Sequence, residues 1–250
     1  MTQVLDHGYV RLVEHYGSDE RIIEAARMST GGGFKGWDLE NPCSACNGVT
    51  PSCSRCSGLG IFRGDASLLR YLWDNRHETP FEMAGAVFEV KLPIFVTREW
   101  HRHRTQSYNE MSGRYIQLPN ECYVPSMERL VISHRSKSNK QGSTDGIEES
   151  LALQLQETIR HCYDKARTRY EWMLSRDVAP EIARLVLPVN QYTVMRASAN
   201  LRNWFGFLKL RMASNAQWEI QQYANAVADE LAKLFPRSYA LFKEANVQSS

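Results

Sequence analysis

The sequence lacks any apolar run close to the roughly 20 residues that a membrane-spanning helix needs. It also lacks a strong charge of either sign, because 30 basic and 28 acidic residues leave a net charge of +2. Proteins that bind nucleic acid usually carry a marked basic excess, so this balance argues against that class. Residues 1–9 lack the basic start and apolar middle of a signal peptide. We therefore expect a soluble cytoplasmic protein with no membrane or nucleic-acid partner.

The hydrophobic pattern indicates a mixed α and β chain in which helices dominate the second half. With 250 residues, 43% of them hydrophobic, the chain is long enough for a large core. Apolar residues alternate with charged ones over 86–92, which is typical of a strand. Helical spacing recurs over 66–75, 151–170, 201–212 and 218–234. The remaining pattern predicts a short strand or turn and then a helix over 10–28, a short helix over 180–187 and a strand over 191–197.

Cationic and aromatic side chains concentrate at residues 98–115, REWHRHRTQSYNEMSGRY. Pro93 fits the first turn of a helix that would carry Arg98 and Arg102 one turn apart. Because the whole chain is nearly neutral, this local basic excess indicates a small anionic ligand. Arginine forks suit phosphate oxygens, since they combine permanent charge with paired hydrogen bonds.

A turn at Ser112, Gly113 and Arg114 offers a hydroxyl, backbone N–H groups and a guanidinium together. Such a combination is a small anion nest. No base is placed to activate Ser112, so ligand binding is favoured over a nucleophilic role. The alternative is that the arginines form ion pairs with carboxylates, for which Glu99 and Glu110 are available.

The motif Arg102-His103-Arg104, followed by seven residues and Ser112, resembles the signature of the flavin-dependent thymidylate synthases. Similar segments follow the family's order elsewhere, at 25–29 (AARMS), 77–82 (HETPFE), 183–188 (ARLVLP) and 200–224. The resemblance covers nearly the whole chain, except a cysteine-rich insert and the segment 133–150.

This resemblance implies an α+β fold with an antiparallel sheet flanked by helices, in a single domain over residues 1–250. It implies methylation of dUMP to dTMP, with 5,10-methylenetetrahydrofolate as carbon donor, reduced FAD as hydride source and NADPH to renew it. It also implies a homotetramer with active sites where subunits meet. One alternative is another C5 modification of dUMP, such as hydroxymethylation. A less favoured alternative is that the chain is a zinc-bearing nucleic-acid-binding protein.

The resemblance also assigns site residues. For dUMP these are Glu99, Arg102, Glu110, Met111, Ser112, Gly113, Arg114, Arg184 and Arg211. For FAD they are Ser29, His77, Thr79, Arg102, His103, Arg104, Asn200 and Arg202. The catalytic residue is Arg211, which would stabilise negative charge on the uracil ring and make C5 more nucleophilic.

Four positions depart from the family's usual residues. Asn215 replaces a histidine, Gly206 an asparagine, Met83 a histidine and Glu99 a glutamine. Asn215 can still donate a hydrogen bond but cannot carry charge, and Gly206 removes a side-chain contact to flavin. Glu99 adds a carboxylate where dUMP is expected.

A cysteine-rich insert spans residues 36–63. Cys43, Cys46, Cys53 and Cys56 form two CxxC pairs, which can present four thiolates to one structural Zn²⁺. Disulfides or a redox pair are the alternatives.

Outside the insert, the polar segment 133–150 predicts a mobile loop. The two remaining cysteines, Cys122 and Cys162, are expected to be buried thiols.

Overall fold

The structure is a computed structural model that describes residues 1–37, 41–42, 46, 61–62, 64–132, 134–135, 143–144 and 146–247. The chain forms two compact units. The first comprises Met1–Glu14, Val87–Ala199 and Gly206–Ala228, and the second comprises His15–Ala86, Asn200–Phe205 and Asp229–Ser250. No helix in the described ranges is long and apolar enough to cross a membrane. That residues 1–250 form one functional domain stays a prediction.

The largest sheet has five antiparallel strands in the order β1-β2-β5-β9-β6. These strands are β1 (Thr2–Val4), β2 (Gly8–Tyr16), β5 (Gly85–Pro93), β6 (Ser107–Glu110) and β9 (Tyr192–Asn200). Two short antiparallel pairs join β3 (Asn41–Pro42) to β4 (Ile61–Phe62) and β7 (His134–Arg135) to β8 (Ser143–Thr144). This sheet and the helices below confirm the predicted α+β class.

Ten helices accompany the strands within the described residues. They are α1 (Asp19–Arg27), α2 (Asp65–Asp74), α3 (Thr79–Glu82), α4 (Ile94–Trp100), α5 (Met127–Val131), α6 (Glu149–Leu174), α7 (Pro180–Ala183), α8 (Leu201–Arg211), α9 (Trp218–Leu234) and α10 (Pro236–Val247). Two 3-10 turns follow α1 and α7, at Met28–Thr30 and Arg184–Val186.

The first unit is built around the predicted alternation of β5. Phe88, Val90 and Leu92 are fully buried, because successive side chains of a strand point to opposite faces of the sheet. At Gly8 in β2, an added Cβ would lie 2.0 Å from the hydroxyl oxygen of Tyr223. Glycine therefore allows the close packing of β2 against this buried tyrosine.

The second unit is a helical cluster. The side chain of Ser18 caps α1 by accepting a hydrogen bond from the backbone N–H of Arg21. Trp73 of α2 contacts the rings of Phe81 and Phe205, and Phe205 stacks on Phe242 of α10 with a centroid distance of 4.9 Å. These aromatic contacts give the unit its own core.

The helix predicted to carry both Arg98 and Arg102 is shorter than expected. Pro93 is its N-cap, and α4 ends at Trp100, so Arg102 lies in the following turn. The carbonyl oxygen of Trp100 accepts from the backbone N–H of His103 at 3.0 Å, which closes a tight turn instead of continuing the helix.

A last helix, α10, is absent from the sequence prediction, although α9 matches it. Pro236 cannot donate a backbone hydrogen bond, so one helix ends and another begins there. The buried carboxylate of Asp19 accepts from the backbone N–H groups of Arg237 and Ser238, at 2.8 and 3.1 Å. This contact, distant in sequence, fixes the start of α10.

The expectation of two buried thiols was wrong for Cys162, which is exposed on α6, and only partly right for Cys122, which is half-buried. Burial raises the pKa of the Cys122 thiol to about 11. Within the predicted loop 133–150, residues 149–150 belong to α6 and two short strands pair. Its other residues, apart from 146–148, lie outside the described ranges, so its mobility stays a prediction.

Candidate active site

Buried anchors hold the turn that carries the basic motif. The indole N–H of Trp100, a fully buried residue, donates to Oε1 of Gln106 at 3.0 Å. The hydroxyl of Tyr108 donates to the carbonyl oxygen of His103 at 2.7 Å. Its burial raises the pKa of Tyr108 to about 12, so the hydroxyl stays protonated and can donate. Both contacts fix the backbone conformation of residues 101–106.

Arg102 and Arg104 project from this anchored turn and are exposed. Neither forms an ion pair or hydrogen bond with another described residue. Arg184, at the start of the 3-10 turn after α7, is also exposed and unpaired within the same ranges. Three cations are therefore available for an anionic ligand, as the sequence predicts.

Arg211, the last residue of α8, is held at three atoms. Its Nη1 donates to Oε2 of Glu99 and its Nη2 to the carbonyl oxygen of Glu99, both at 2.8 Å. Its Nε donates to Nε2 of His103 at 2.9 Å. The Arg211 side chain is 15% exposed and that of Glu99 is 42% exposed. The guanidinium is therefore fixed in place, with the carboxylate on its solvent side.

His103 is neutral in this arrangement, because its Nε2 accepts the hydrogen bond from Arg211. Burial, together with the nearby charge of Arg211, lowers the pKa of His103 to about 4. Its ring lies edge-on to Phe207 with a centroid distance of 5.0 Å. Packing and electrostatics together keep this histidine uncharged at neutral pH.

Gly113 allows a second cluster to form around the predicted anion nest. A Cβ at Gly113 would lie 3.2 Å from Cδ1 of Leu118 and 3.4 Å from Cδ of Arg184. The stem of Arg184 therefore packs against the Ser112–Arg114 turn. One N–H of this nest is already occupied, since the backbone N–H of Arg114 donates to Oγ of Ser112 at 3.3 Å.

The other predicted dUMP residues lie in the same unit. Arg114 pairs with Glu181 at 2.7 Å, but both side chains are about half exposed, so this pair stabilises little. Glu110, at the end of β6, accepts from the Thr193 hydroxyl at 2.8 Å. Met111 continues β6 by donating its backbone N–H to a carbonyl oxygen of β9 at 2.8 Å.

The residues assigned to FAD are divided between the two units. Arg102, His103 and Arg104 belong to the first. The second contains Ser29, His77, Thr79, Asn200 and Arg202.

Within the second unit, a cavity of about 440 Å³ is lined by Ala26, Arg27, Thr30, Gly64, Ser67, Leu68 and Tyr71. Ser29 precedes the lining residue Thr30. The ring of His77 lies edge-on to Tyr71, with a centroid distance of 5.6 Å. Two of the predicted FAD residues are therefore next to lining residues of this cavity.

Of the remaining residues of this set, two are engaged at the start of α8 and one is exposed at the start of α3. Oδ1 of Asn200 accepts from the backbone N–H of Asn203 at 2.9 Å and so caps the helix. Arg202 pairs with Glu82 at 2.7 Å and also with Glu78. Thr79 is an exposed residue at the start of α3.

Three of the four departures from the family pattern are exposed. Met83, Gly206 and Asn215 all face solvent, and a Cβ at Gly206 would contact nothing. The fourth, Glu99, binds Arg211 through its carboxylate and its carbonyl oxygen. Sequence reasoning named both residues but did not predict that they pair, since they are far apart in the chain. It also missed Gln106 and Phe207, whose supporting roles have no motif.

Three of the four predicted zinc ligands, Cys43, Cys53 and Cys56, lie outside the described residues. Within the described ranges, no three histidine, cysteine, aspartate or glutamate side chains gather as a metal site would require.

Residues 11–237 match a family model that is described as "Thymidylate synthase complementing protein". The chain is 42% identical over 243 residues to a flavin-dependent thymidylate synthase of Thermus thermophilus, covering 96% of this chain and 77% of the relative. It is 36% identical over 248 residues to one from Wolbachia pipientis wMel, covering 99% and 78%.

Among solved structures, the chain resembles a UMP/dUMP methylase, PolB, from Streptomyces cacaoi. The form bound with 5-Br UMP has a TM-score of 0.77 and 31% identity, covering 98% of this chain and 97% of that one. The form bound with 5-Br dUMP has a TM-score of 0.76 and 30% identity, covering 97% of each.

Proposed function

Because this chain belongs to the flavin-dependent thymidylate synthase family, we propose that it methylates dUMP at C5 to give dTMP. The carbon donor is 5,10-methylenetetrahydrofolate, and the second product is tetrahydrofolate. When bound, reduced FAD supplies the hydride, and NADPH restores the reduced flavin. The observation that carries this proposal is the packing of Arg184 against the Ser112–Arg114 turn, which brings a second guanidinium side chain to the predicted anion nest within one compact unit.

The dUMP phosphate binds at this turn. Arg184 has no counterion among the described residues, and the exposed pair of Arg114 with Glu181 can open at little cost. Ser112, Gly113 and Met111 supply polar and backbone groups beside these cations. Glu110 and Arg102 complete the dUMP set.

The pyrimidine ring binds at Arg211 and Glu99. Arg211 is preorganised by its three hydrogen bonds, so it can stabilise charge on the ring without reorganising. Arg211 is therefore the catalytic residue of the proposal. Ser112 binds ligand and makes no covalent bond, because no described histidine, lysine or carboxylate hydrogen-bonds to its hydroxyl.

FAD is held by Ser29, His77, Thr79, Arg102, His103, Arg104, Asn200 and Arg202. The exposed, unpaired guanidinium groups of Arg102 and Arg104 fit an anionic pyrophosphate. In the second unit, the cavity beside Ser29 and His77 offers apolar and polar lining for part of a planar cofactor.

A structural Zn²⁺ at Cys43, Cys46, Cys53 and Cys56 is also part of the proposal. The base of the insert is closed, since the backbone N–H of Asp65 donates to the carbonyl oxygen of Gly36 at 2.8 Å. Further out, Asn41 pairs with Phe62. In sequence, all four cysteines lie between these paired residues. Zinc analysis of fresh, reduced protein tests this, and an absence of zinc contradicts it.

A homotetramer is supported by exposed apolar side chains beside the proposed phosphate site. Tyr115 is 82% exposed and Leu185 is 75% exposed, and both stand next to dUMP residues in the chain. Exposed apolar surface of this kind commonly mediates contacts between copies. Light scattering of the purified protein tests the assembly. A cytoplasmic location stays a prediction.

The test of function is the mass of the nucleotide formed from dUMP with methylenetetrahydrofolate, FAD and NADPH. We expect a gain of one methyl group, lost when either the folate or NADPH is omitted. A hydroxymethyl product would show a different C5 modification. Unchanged dUMP would contradict the proposal, and salt-dependent DNA binding instead would favour the nucleic-acid alternative. A parallel reaction with UMP shows whether the ribonucleotide is accepted.

A further inference from the structure

A buried carboxylate in the second unit joins three parts of the chain. Asp65, the first residue of α2, is fully buried. Its Oδ2 accepts from the backbone N–H groups of Lys35 and Gly36, at 2.6 and 3.2 Å. Its Oδ1 forms an ion pair with Nη2 of Arg27, the last residue of α1. Because a buried charge needs compensating partners, these contacts fix the carboxylate and the guanidinium together.

Arg27 encloses the residues that follow α1. Its Nη1 donates to the carbonyl oxygen of Gly33 at 2.7 Å. Its own carbonyl oxygen accepts from the backbone N–H of Gly32 at 3.2 Å and from the hydroxyl of Thr30 at 3.0 Å. The guanidinium therefore holds the end of the turn 28–33, while the main chain of the same residue holds its middle. The ion pair described above orients that guanidinium.

This turn carries Ser29, one of the residues proposed for FAD. Ser29 is exposed, and its hydroxyl donates to the carbonyl oxygen of Ala26 at 3.4 Å, a long hydrogen bond that a ligand can replace. Its two neighbours in the chain, Arg27 and Thr30 on either side of residues 28–29, line the adjacent cavity of about 440 Å³. The shape of this part of the proposed FAD site therefore depends on the turn that Arg27 holds.

We propose that Asp65 is a positioning residue for FAD, because through Arg27 it fixes the turn that presents Ser29 to the cofactor. Asp65 itself cannot touch the cofactor, since its side chain is fully buried. The Arg27 side chain is only 12% exposed and is paired with this carboxylate, so it holds the turn and does not bind phosphate. This inference rests on the proposed function, because it assumes that FAD binds beside Ser29.

Two variants separate this positioning role from a role of charge alone. In Asp65→Asn, one amide oxygen remains for the two backbone N–H groups, so the NH₂ group faces the guanidinium of Arg27, donor against donor. The variant keeps the size of the side chain but releases Arg27. In Arg27→Lys, a single ammonium keeps the charge beside Asp65 but cannot reproduce the planar fork that also reaches Gly33. Both variants should therefore loosen the turn.

Asp19 provides a matched control in the same unit. It is a second buried carboxylate that accepts from two backbone N–H groups, those of Arg237 and Ser238. Asp19→Asn should lower the melting temperature, because it weakens the contact that fixes the start of α10, but it leaves the contacts of the turn 28–33 in place. It therefore shows how far FAD binding responds to a loss of stability alone.

The experiment measures the dissociation constant of FAD by equilibrium dialysis of the FAD-loaded, full-length protein, at a temperature at which circular dichroism shows every variant folded. We expect this constant to rise at least about tenfold in Asp65→Asn and Arg27→Lys, the range that a lost hydrogen bond to a charged ligand gives. In Asp19→Asn it should stay within about twofold of the wild type. Excess FAD should restore dUMP turnover in the first two variants, because the residues proposed for dUMP lie in the other unit.

The alternative roles predict different results. If Arg27 bound the FAD phosphates by its charge, Asp65→Asn would release that charge and tighten FAD binding, and Arg27→Lys would keep most of the affinity. Unchanged or tighter FAD binding in folded Asp65→Asn, or wild-type affinity in Arg27→Lys, would overturn the inference alone. So would an equal rise of the dissociation constant in Asp19→Asn, which would show a general effect of stability. A wild-type protein that retains no FAD would overturn the proposed function as well.

Discussion

At the scale of single residues, the arginines of the site differ in whether a carboxylate already pairs with them. Arg102, Arg104 and Arg184 have no partner among the described residues, whereas Arg114 and Arg211 pair with Glu181 and Glu99. The family motif and segments predict which arginines bind the ligands. They could not predict how these arginines pair, because each partner is brought in by the fold from a distant part of the chain.

Arg211→Ala tests the role of the arginine that pairs with Glu99. Removing a preorganised charge from a reacting ring typically costs about a hundredfold to a thousandfold in kcat. Bound FAD, measured by its absorbance after gel filtration, should change far less. Arg21→Ala, which breaks an exposed ion pair with Glu24 on α1, controls for the loss of an arginine away from the site. Equal losses of FAD and kcat would show that Arg211 serves the cofactor instead.

His103 gives a prediction for pH. Its pKa is about 4 in the folded protein and about 6.5 in the unfolded chain, so the unfolded chain takes up the proton first as the pH falls. The contribution of His103 to the free energy of unfolding is therefore present above pH 6.5 and lost between 6.5 and about 4. Between about pH 7 and pH 5 we expect a loss of about 1–2 kcal/mol, which allows for screening by solvent at this half-buried ring.

Urea denaturation at both pH values measures this loss. His103→Gln is the matched variant, because its amide oxygen can still accept from Arg211 but cannot be protonated in this range. On going to the lower pH, the variant should lose about 1–2 kcal/mol less stability than the wild type. Identical pH dependence in both proteins would show that His103 is not held neutral by its surroundings.

At the scale of elements, hydrophobic periodicity predicted the strands β5 and β9 and the helices α2, α6, α8 and α9, because each buries a continuous face. It failed where single contacts decide an element's end. Trp100 ends α4 because its carbonyl oxygen is drawn into the turn toward His103, and α10 begins where Asp19 supplies its cap. The first is a local backbone contact that leaves no hydrophobic pattern, and the second depends on a side chain from a distant part of the chain.

Tyr108→Phe tests whether the turn after α4 is held by its anchor. The variant removes the hydroxyl that donates to the carbonyl oxygens of His103 and Trp100 and should lower the free energy of unfolding by about 1 kcal/mol. We also expect weaker binding of dUMP and FAD, because Arg102 and Arg104 lose their fixed support. Tyr16→Phe, at an exposed position outside the proposed sites, is the control. Unchanged ligand affinity in Tyr108→Phe would mean that the turn is held by other contacts.

At the scale of the whole molecule, every residue proposed for dUMP lies in the first compact unit, although these residues span 99–211 in the sequence. The family resemblance predicts that they form one site. Neither periodicity nor spacing could place Arg184 on Gly113, because that contact depends on how α7 packs.

The insert gives a prediction for the chain as a whole. Since residues 36 and 65 are already hydrogen-bonded, replacing 38–63 by a short Gly/Ser linker should leave the rest folded. The melting temperature of the shortened protein should stay within a few degrees of the wild type, and dUMP turnover should persist, while bound zinc disappears. Loss of folding would show that the insert contributes to the core.

The most direct test of the site is a crystal structure of the protein with FAD and dUMP. The account predicts the phosphate within hydrogen-bond distance of Ser112, Arg114 and Arg184, and the N3–O4 edge of uracil against Glu99 and Arg211. A nucleotide bound elsewhere, or a uracil ring turned away from Glu99 and Arg211, would contradict it.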